Sequence, residues 1–181
     1  MDGARRGAAI VVAVACLAGC GGEASATPPI TPGTLATPRA VIVVAHDFSF
    51  SPPIVDLVPG ETVTFQVVNG GLVTHDFVVG EQPVQAAWEA AEAAVAAAPP
   101  GPTPAVSVPP DLGGLRLVMA SGQRIDRTWV VPAIAAVDVG GWFVACHIPG
   151  HAAEGMVVPV RFVGADGRPL STAGAEASSR P

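Results

Sequence analysis

The segment Glu61–Asn69, ETVTFQVVN, alternates strictly, with Val63, Phe65 and Val67 on one face and Thr62, Thr64 and Gln66 on the other. A period of two predicts a half-buried antiparallel strand. Similar short runs recur as AVIVVAHDFSF, SPPIVDLVPG, GLVTHDFVVG, RTWVV, VGGWFVAC and GMVVPVRFV, bounded by turn residues. At least seven such strands predict an all-β sandwich. The 21 glycines and 19 prolines among 181 residues, with few aromatics, fit that class better than a helical bundle.

One segment breaks the alternation. PVQAAWEAAEAAVAAAPP has Pro83 at a plausible first helical position, Val84, Trp88, Ala91 and Val95 at helical spacing, and Pro99-Pro100 as a stop. It predicts a helix of about four turns, inserted between strands, within an insertion covering residues 82–123. Trp88 is expected to pack it onto the sandwich.

The ends of the chain read differently from its middle. Arg5 and Arg6 precede the apolar run GAAIVVAVACLAG, which has the length of an export signal and is too short to span a bilayer comfortably. Leu17-Ala18-Gly19-Cys20 resembles the lipobox of bacterial lipoproteins, which implies a signal peptide over residues 1–19 and lipidation of Cys20. Residues 20–40 are rich in Gly, Ser, Thr and Pro and read as a tether, reaching roughly 25 Å as a coil and at most about 70 Å extended. The folded domain is expected over residues 41–163, followed by a polar, disordered tail over 164–181.

Charge and cysteines narrow the function. The chain has a formal charge of −6 and no lysine, and its nine arginines form no basic patch, so nucleic-acid binding has no support. Loss of Asp2, Arg5 and Arg6 with the signal would take the charge to −7. Cys16 would leave with the signal and Cys20 would be acylated. Cys146 then stands alone, with no partner for an intramolecular disulfide.

Cys146 lies in ACHIPGHAAEGM, where Cys146, His151 and Met156 follow at C-x4-H-x4-M spacing. Gly150 and Gly155 allow the tight turns needed to aim three side chains at one point. With His75 of VTHDF, they make a thiolate, two imidazoles and a thioether, the donor set of a blue-copper site.

The string FSFSPPIVDLVPGETVTFQVVN, then THDF, then WFVACHIPGHAAEGM, is similar to the pattern of the cupredoxin family from about Val41 to Val163. Its loop resembles those of rusticyanin-like proteins and of the blue sites of multicopper oxidases. The resemblance implies a cupredoxin-like Greek-key β-sandwich binding one type 1 copper ion through His75, Cys146, His151 and Met156. His147 resembles the CHI of multicopper oxidases, but Ala145 fills the other flanking place and no His-x-His motif exists in the chain. A second catalytic copper centre cannot be built, and His147 is expected to be structural or at the surface. Asp76 replaces the Asn or Ser that many cupredoxins carry after the first ligand histidine; the backbone N–H to the cysteine sulfur is expected to survive this. His46 is expected at a surface turn.

These features point to a non-enzymatic one-electron carrier, tethered by a lipid anchor to the outer face of a bacterial membrane or in the periplasm. Its partner would be a redox protein such as a cytochrome or a terminal oxidase. The alternative is a copper-binding or copper-delivery lipoprotein, though such sites usually rely on Met and His clusters, and after the signal this chain has just Met119 and Met156.

Overall fold

A computed structural model describes residues 28–99, 105–133 and 140–170. The export signal and Cys20 lie outside the described residues, and none of the helices among those residues is long and apolar enough to cross a membrane.

Among the described residues, nine strands make two sheets. Strands β1 (Arg39–His46), β2 (Ser49–Ser51), β4 (Thr62–Asn69) and β7 (Arg124–Val130) form one, in the order β2-β1-β4-β7. Strands β3 (Val55–Leu57), β5 (His75–Glu81), β6 (Leu115–Met119), β8 (Trp142–Ala145) and β9 (Val157–Phe162) form the other, in the order β3-β9-β8-β5-β6. β1 pairs with β4 in parallel, as β3 does with β9, and the remaining pairs are antiparallel. The alternation in ETVTFQVVN does what its period requires over most of its length: Val63, Phe65 and Val67 are fully buried between the sheets while Thr64 and Gln66 are partly wet, and Thr62 departs from it, buried where its N–H meets the Gly33 carbonyl. Val43 and Ala45 of β1, Phe77 and Val79 of β5, Val144 of β8 and Val160 and Phe162 of β9 complete that layer. Removing side chains of this size from water contributes roughly 1.5–3 kcal/mol each.

β5 is buried on both faces, including Asp76 and Val78. The reason is helix α1 (Gln82–Ala96), which follows it directly with a proline in its first turn and packs on the outer face of the sheet. Trp88 is 8 % exposed and its indole N–H donates to the Gly113 carbonyl at 2.9 Å. Gln85 is also buried, and its amide nitrogen donates to the carbonyls of Val78, Gly80 and Phe143.

Three boundaries differ from expectation. The region 82–123 is not wholly an insertion, because Leu115–Met119 is strand β6, paired with β5 from His75↔Met119 to Val79↔Leu115. Its inward residues Leu115, Leu117 and Met119 alternate, a signal hidden beside the Pro- and Gly-rich linker before it. The polar tail does not begin disordered at residue 164: Val163 bridges to Pro169, the Leu170 N–H donates to the Phe162 carbonyl, and Leu170 packs on the core. Residues 171–181 are outside the described set. Near the other end, the Ile30 N–H donates to the Ala165 carbonyl and the Gly33 carbonyl accepts from the Thr62 N–H, so residues 30–38 run against the domain.

A buried ion pair pins that edge. The Glu61 carboxylate accepts from the Arg39 guanidinium at 2.8 and 2.5 Å and from the backbone N–H groups of Val58 and Gly33. Burial alone would raise the Glu61 carboxyl, but Arg39 and the two N–H groups outweigh it and hold it below its ordinary value. A carboxyl lowered in the folded state stabilises above its unfolded value and loses that contribution as pH falls through the folded one. Glu61→Ala should therefore cost about 3–5 kcal/mol in urea unfolding at neutral pH, since it leaves Arg39 uncompensated. The gap to wild type should narrow as the pH falls below the ordinary carboxylate range; a gap independent of pH would show that the charge of Glu61 is not what stabilises.

Candidate metal centre

The register Val78↔Ala145 between β5 and β8 brings His75 and Cys146, 71 residues apart, to one end of the sandwich. Beyond β8 the chain makes a closed loop. The Cys146 N–H donates to the Met156 carbonyl at 3.1 Å, the Met156 N–H to the His151 carbonyl at 3.1 Å, and the His151 N–H to the Ile148 carbonyl at 3.0 Å. Gly150 and Gly155 hold the two sharp turns at φ of 95° and 103°, where a side chain would be strained.

The loop and the start of β5 bring three candidate donor atoms to one place. Cys146 Sγ lies 3.2 Å from His151 Nδ1 and 4.0 Å from His75 Nδ1, and the two Nδ1 atoms are 3.2 Å apart. All three fall within 4.8 Å of one another. Cys146, His75 and Met156 are fully buried, and His151 is partly exposed. Met156 meets the others through its backbone, which closes the loop on both Cys146 and His151.

Each donor is oriented by groups outside the cluster. His75 Nε2 faces Asp47 Oδ1 at 2.8 Å; the carboxylate accepts the ring proton there and leaves Nδ1 free as a donor atom. Asp47 Oδ2 in turn accepts the Leu72 N–H at 2.8 Å. The Leu72 N–H first and His75 second hold the Asp47 carboxyl below its ordinary value. Gly71 has no room for a side chain, since a Cβ would stand 2.2 Å from Asp47 Oδ1 and 2.9 Å from His75 Nε2. Asn69 ties down the same loop, accepting from the Gly71 N–H and donating to the Val73 and Met119 carbonyls.

The sulfur accepts the Asp76 N–H at 3.4 Å, as the sequence leads one to expect. Burial, followed by the charge of Asp76, pushes the Cys146 thiol up to about 12. At neutral pH it is therefore a thiol, and a cation taking the sulfur as ligand must displace its proton. Burial, with the neighbouring His75, lowers His151 and keeps its ring neutral and able to ligate.

The remaining histidines take other roles. His46 is exposed at the end of β1. His147 is buried, with its backbone N–H on Asp76 Oδ1 at 2.7 Å and Nε2 on Gln85 Oε1 at 2.6 Å. Because three carbonyls claim the Gln85 amide nitrogen, its oxygen must accept, so Nε2 of His147 carries the proton. Its Nδ1 has no hydrogen-bond partner among the described residues. Asp47, Gln85 and Arg116 were not singled out from the sequence; each acts through contacts formed only when distant segments meet.

No family model matches the chain. It is 35 % identical over 133 residues to the copper-resistant cuproprotein CopI of Rubrivivax gelatinosus, a span of 72 % of this chain and 71 % of that protein. Its fold is similar to that of reduced auracyanin from Roseiflexus castenholzii, at a TM-score of 0.53 and 19 % identity over 70 % of this chain and 98 % of that one. Auracyanin A, a "blue" copper protein of Chloroflexus aurantiacus, gives the same TM-score of 0.53 and 19 % identity, over 70 % of this chain and 99 % of that one. A two-sheet sandwich that gathers two histidines around a buried cysteine at one end, together with this relationship to a cuproprotein, makes the chain a member of the cupredoxin family.

Proposed function

We propose that this protein carries single electrons on one type 1 copper ion, which His75 Nδ1, Cys146 Sγ and His151 Nδ1 would hold, with Met156 as a weak fourth ligand. The observation that carries the reading is the buried cluster of one thiol and two imidazoles, all within 4.8 Å. A soft thiolate with two borderline nitrogens suits copper, and such a set suits one-electron transfer. When bound, copper supplies a one-electron couple between Cu(I) and Cu(II). The chain's part is to keep the donors still. Asp47 fixes the His75 ring, the Asp76 N–H fixes the sulfur, and the closed loop fixes His151, so the ligand set has little to rearrange between oxidation states.

His151 is the partly exposed member of the cluster and gives the electron its route outward. The ring of Phe48 stands edge-on to it at 4.8 Å and is itself 37 % exposed; Leu72, in the loop that follows Asn69, is 86 % exposed. Pro149 and Ala153 are exposed, whereas Ala152 and Ile148 are half-buried beside Glu89 and Ala93 of α1, which line with them a cavity of about 160 Å³. The docking face is therefore centred on Phe48 and Leu72 as much as on the ligand loop. Such small apolar faces suit short-lived encounters with a redox protein such as a cytochrome or a terminal oxidase, and the acidic chain favours basic partners.

The lipobox-like LAGC supports an exported protein cleaved before Cys20, lipidated there, and held at the outer face of the membrane or in the periplasm by the segment around residues 20–40. A second reading, copper handling, is favoured by the name of the CopI relative. Both methionines that follow the signal, Met119 and Met156, are fully buried, which leaves no surface methionine for transfer among the described residues. Binding of more than one copper ion per chain would favour it.

Three outcomes follow. The Cu(II)-loaded protein should show an intense visible band that Cys146→Ser abolishes, and Met156→Leu should keep both band and copper; a colourless wild type would remove the electron-carrier reading. Leu72→Asp should slow electron transfer to the physiological partner by about tenfold, equivalent to about 1.4 kcal/mol of docking, without altering that band. A rate unchanged from wild type would move the docking face elsewhere. Metabolic labelling with a fatty acid should mark the wild-type chain and not Cys20→Ser; equal labelling of both would exclude the anchor.

A further inference from the structure

Helix α1 is tied to the ligands by a continuous line of charged and polar groups. On its inner side, Glu92 Oε1 accepts from the Arg116 guanidinium, and the Trp88 ring lies 4.4 Å beneath the same group. Arg116, on β6 opposite Val78, then donates from Nε to Asp76 Oδ2 at 3.0 Å. Asp76 Oδ1 accepts the His147 N–H at 2.7 Å, and the Asp76 N–H reaches Cys146 Sγ. The Asp76 side chain is fully buried, and those of Arg116 and Glu92 are only 16 % and 12 % exposed.

The chemistry of this line bears on the couple. A buried carboxylate adjoining His75 in sequence and touching the backbone on the far side of Cys146 stabilises the more positive oxidation state of an ion held there, because little water screens it. A guanidinium paired to that carboxylate cancels the effect. Arg116 is well placed for this, since its side chain is largely buried and meets Asp76, Glu92 and the Trp88 ring. Its position in turn depends on α1, which covers it with a carboxylate and an aromatic face.

We propose that Arg116, held in place by Glu92 and Trp88 of helix α1, sets the reduction potential of the site by balancing the buried charge of Asp76. The inference rests on the copper reading above. It gives the helix between β5 and β6 a function: it holds the counter-charge of the metal centre. Arg116 acts through Asp76 and is a positioning residue.

The test is the midpoint potential of the copper-loaded protein in a small set of variants. Arg116→Gln exposes the carboxylate charge and should raise the Cu(II):Cu(I) ratio at fixed potential at least tenfold, a fall of about 59 mV or more. Asp76→Asn keeps an acceptor for the His147 N–H, removes the charge, and should shift the ratio at least tenfold the other way. The double variant should return to within threefold of wild type, and Arg116→Lys should restore most of the wild-type value. Trp88→Leu removes the aromatic face under Arg116 without changing any charge, and should shift in the same direction as Arg116→Gln by a smaller factor. It gives an answer even if Arg116→Gln fails to fold. Thermal unfolding of the metal-free variants supplies an independent readout: a purely structural role would destabilise all of them while leaving the potentials together. Potentials that do not move, or that all move in one direction, overturn the proposal while the visible band remains intact. A wild type with no band would instead defeat the copper reading.

Discussion

The pairing of β5 with β8 in one register, Val78 opposite Ala145, is the constraint on which the rest of the site depends. Side chains alternate along a strand, so a slip of one residue would turn His75 and Cys146 to opposite faces. What holds the register is local and polar. The Asp76 N–H meets the cysteine sulfur, and the Asp76 carboxylate meets the His147 N–H, so a single residue joins the two strands across the point where they leave the sheet. Deletion of either contact would leave a buried polar group without a partner, which is costly in an interior this dry.

Around that junction the molecule has two shells of different character. Between the sheets lie Val63, Phe65, Val67, Phe77 and Phe162, whose contribution is burial and close packing. Outside β5 lies helix α1, whose buried residues, Gln85 and Trp88, use hydrogen bonds to backbone carbonyls to seat the helix. The helix thereby encloses His147, Asp76 and Arg116, groups that would otherwise face water. An enclosed charge network works at short range and resists screening by salt, whereas the exposed Arg124–Asp126 pair on β7 contributes little.

Much of this was legible in the sequence, for reasons that are themselves physical. The strand alternation of ETVTFQVVN follows from its period of two, and the candidate ligands Cys146, His151 and Met156 sit in one contiguous string whose spacing can be read directly. His75 required the pattern around it. Asp47 was not legible: its contact with His75 spans 28 residues and exists only because Gly71 lets the two loops meet. His147 was expected to be structural or at the surface and is buried, its ring held by a glutamine 62 residues away on the helix. β6 is hard to read because its five residues follow a proline-rich linker, and Leu170 because it stands alone as an apolar residue between Pro169 and Ser171.

The central claim is that the protein holds the ligand set still while the charge on the metal changes. X-ray absorption at the copper edge, recorded on the same sample oxidised and reduced, tests it most directly. The account predicts one short sulfur neighbour and two nitrogen neighbours in both states, with no ligand gained or lost. Loss of a histidine on reduction, or a new oxygen neighbour on oxidation, would contradict it.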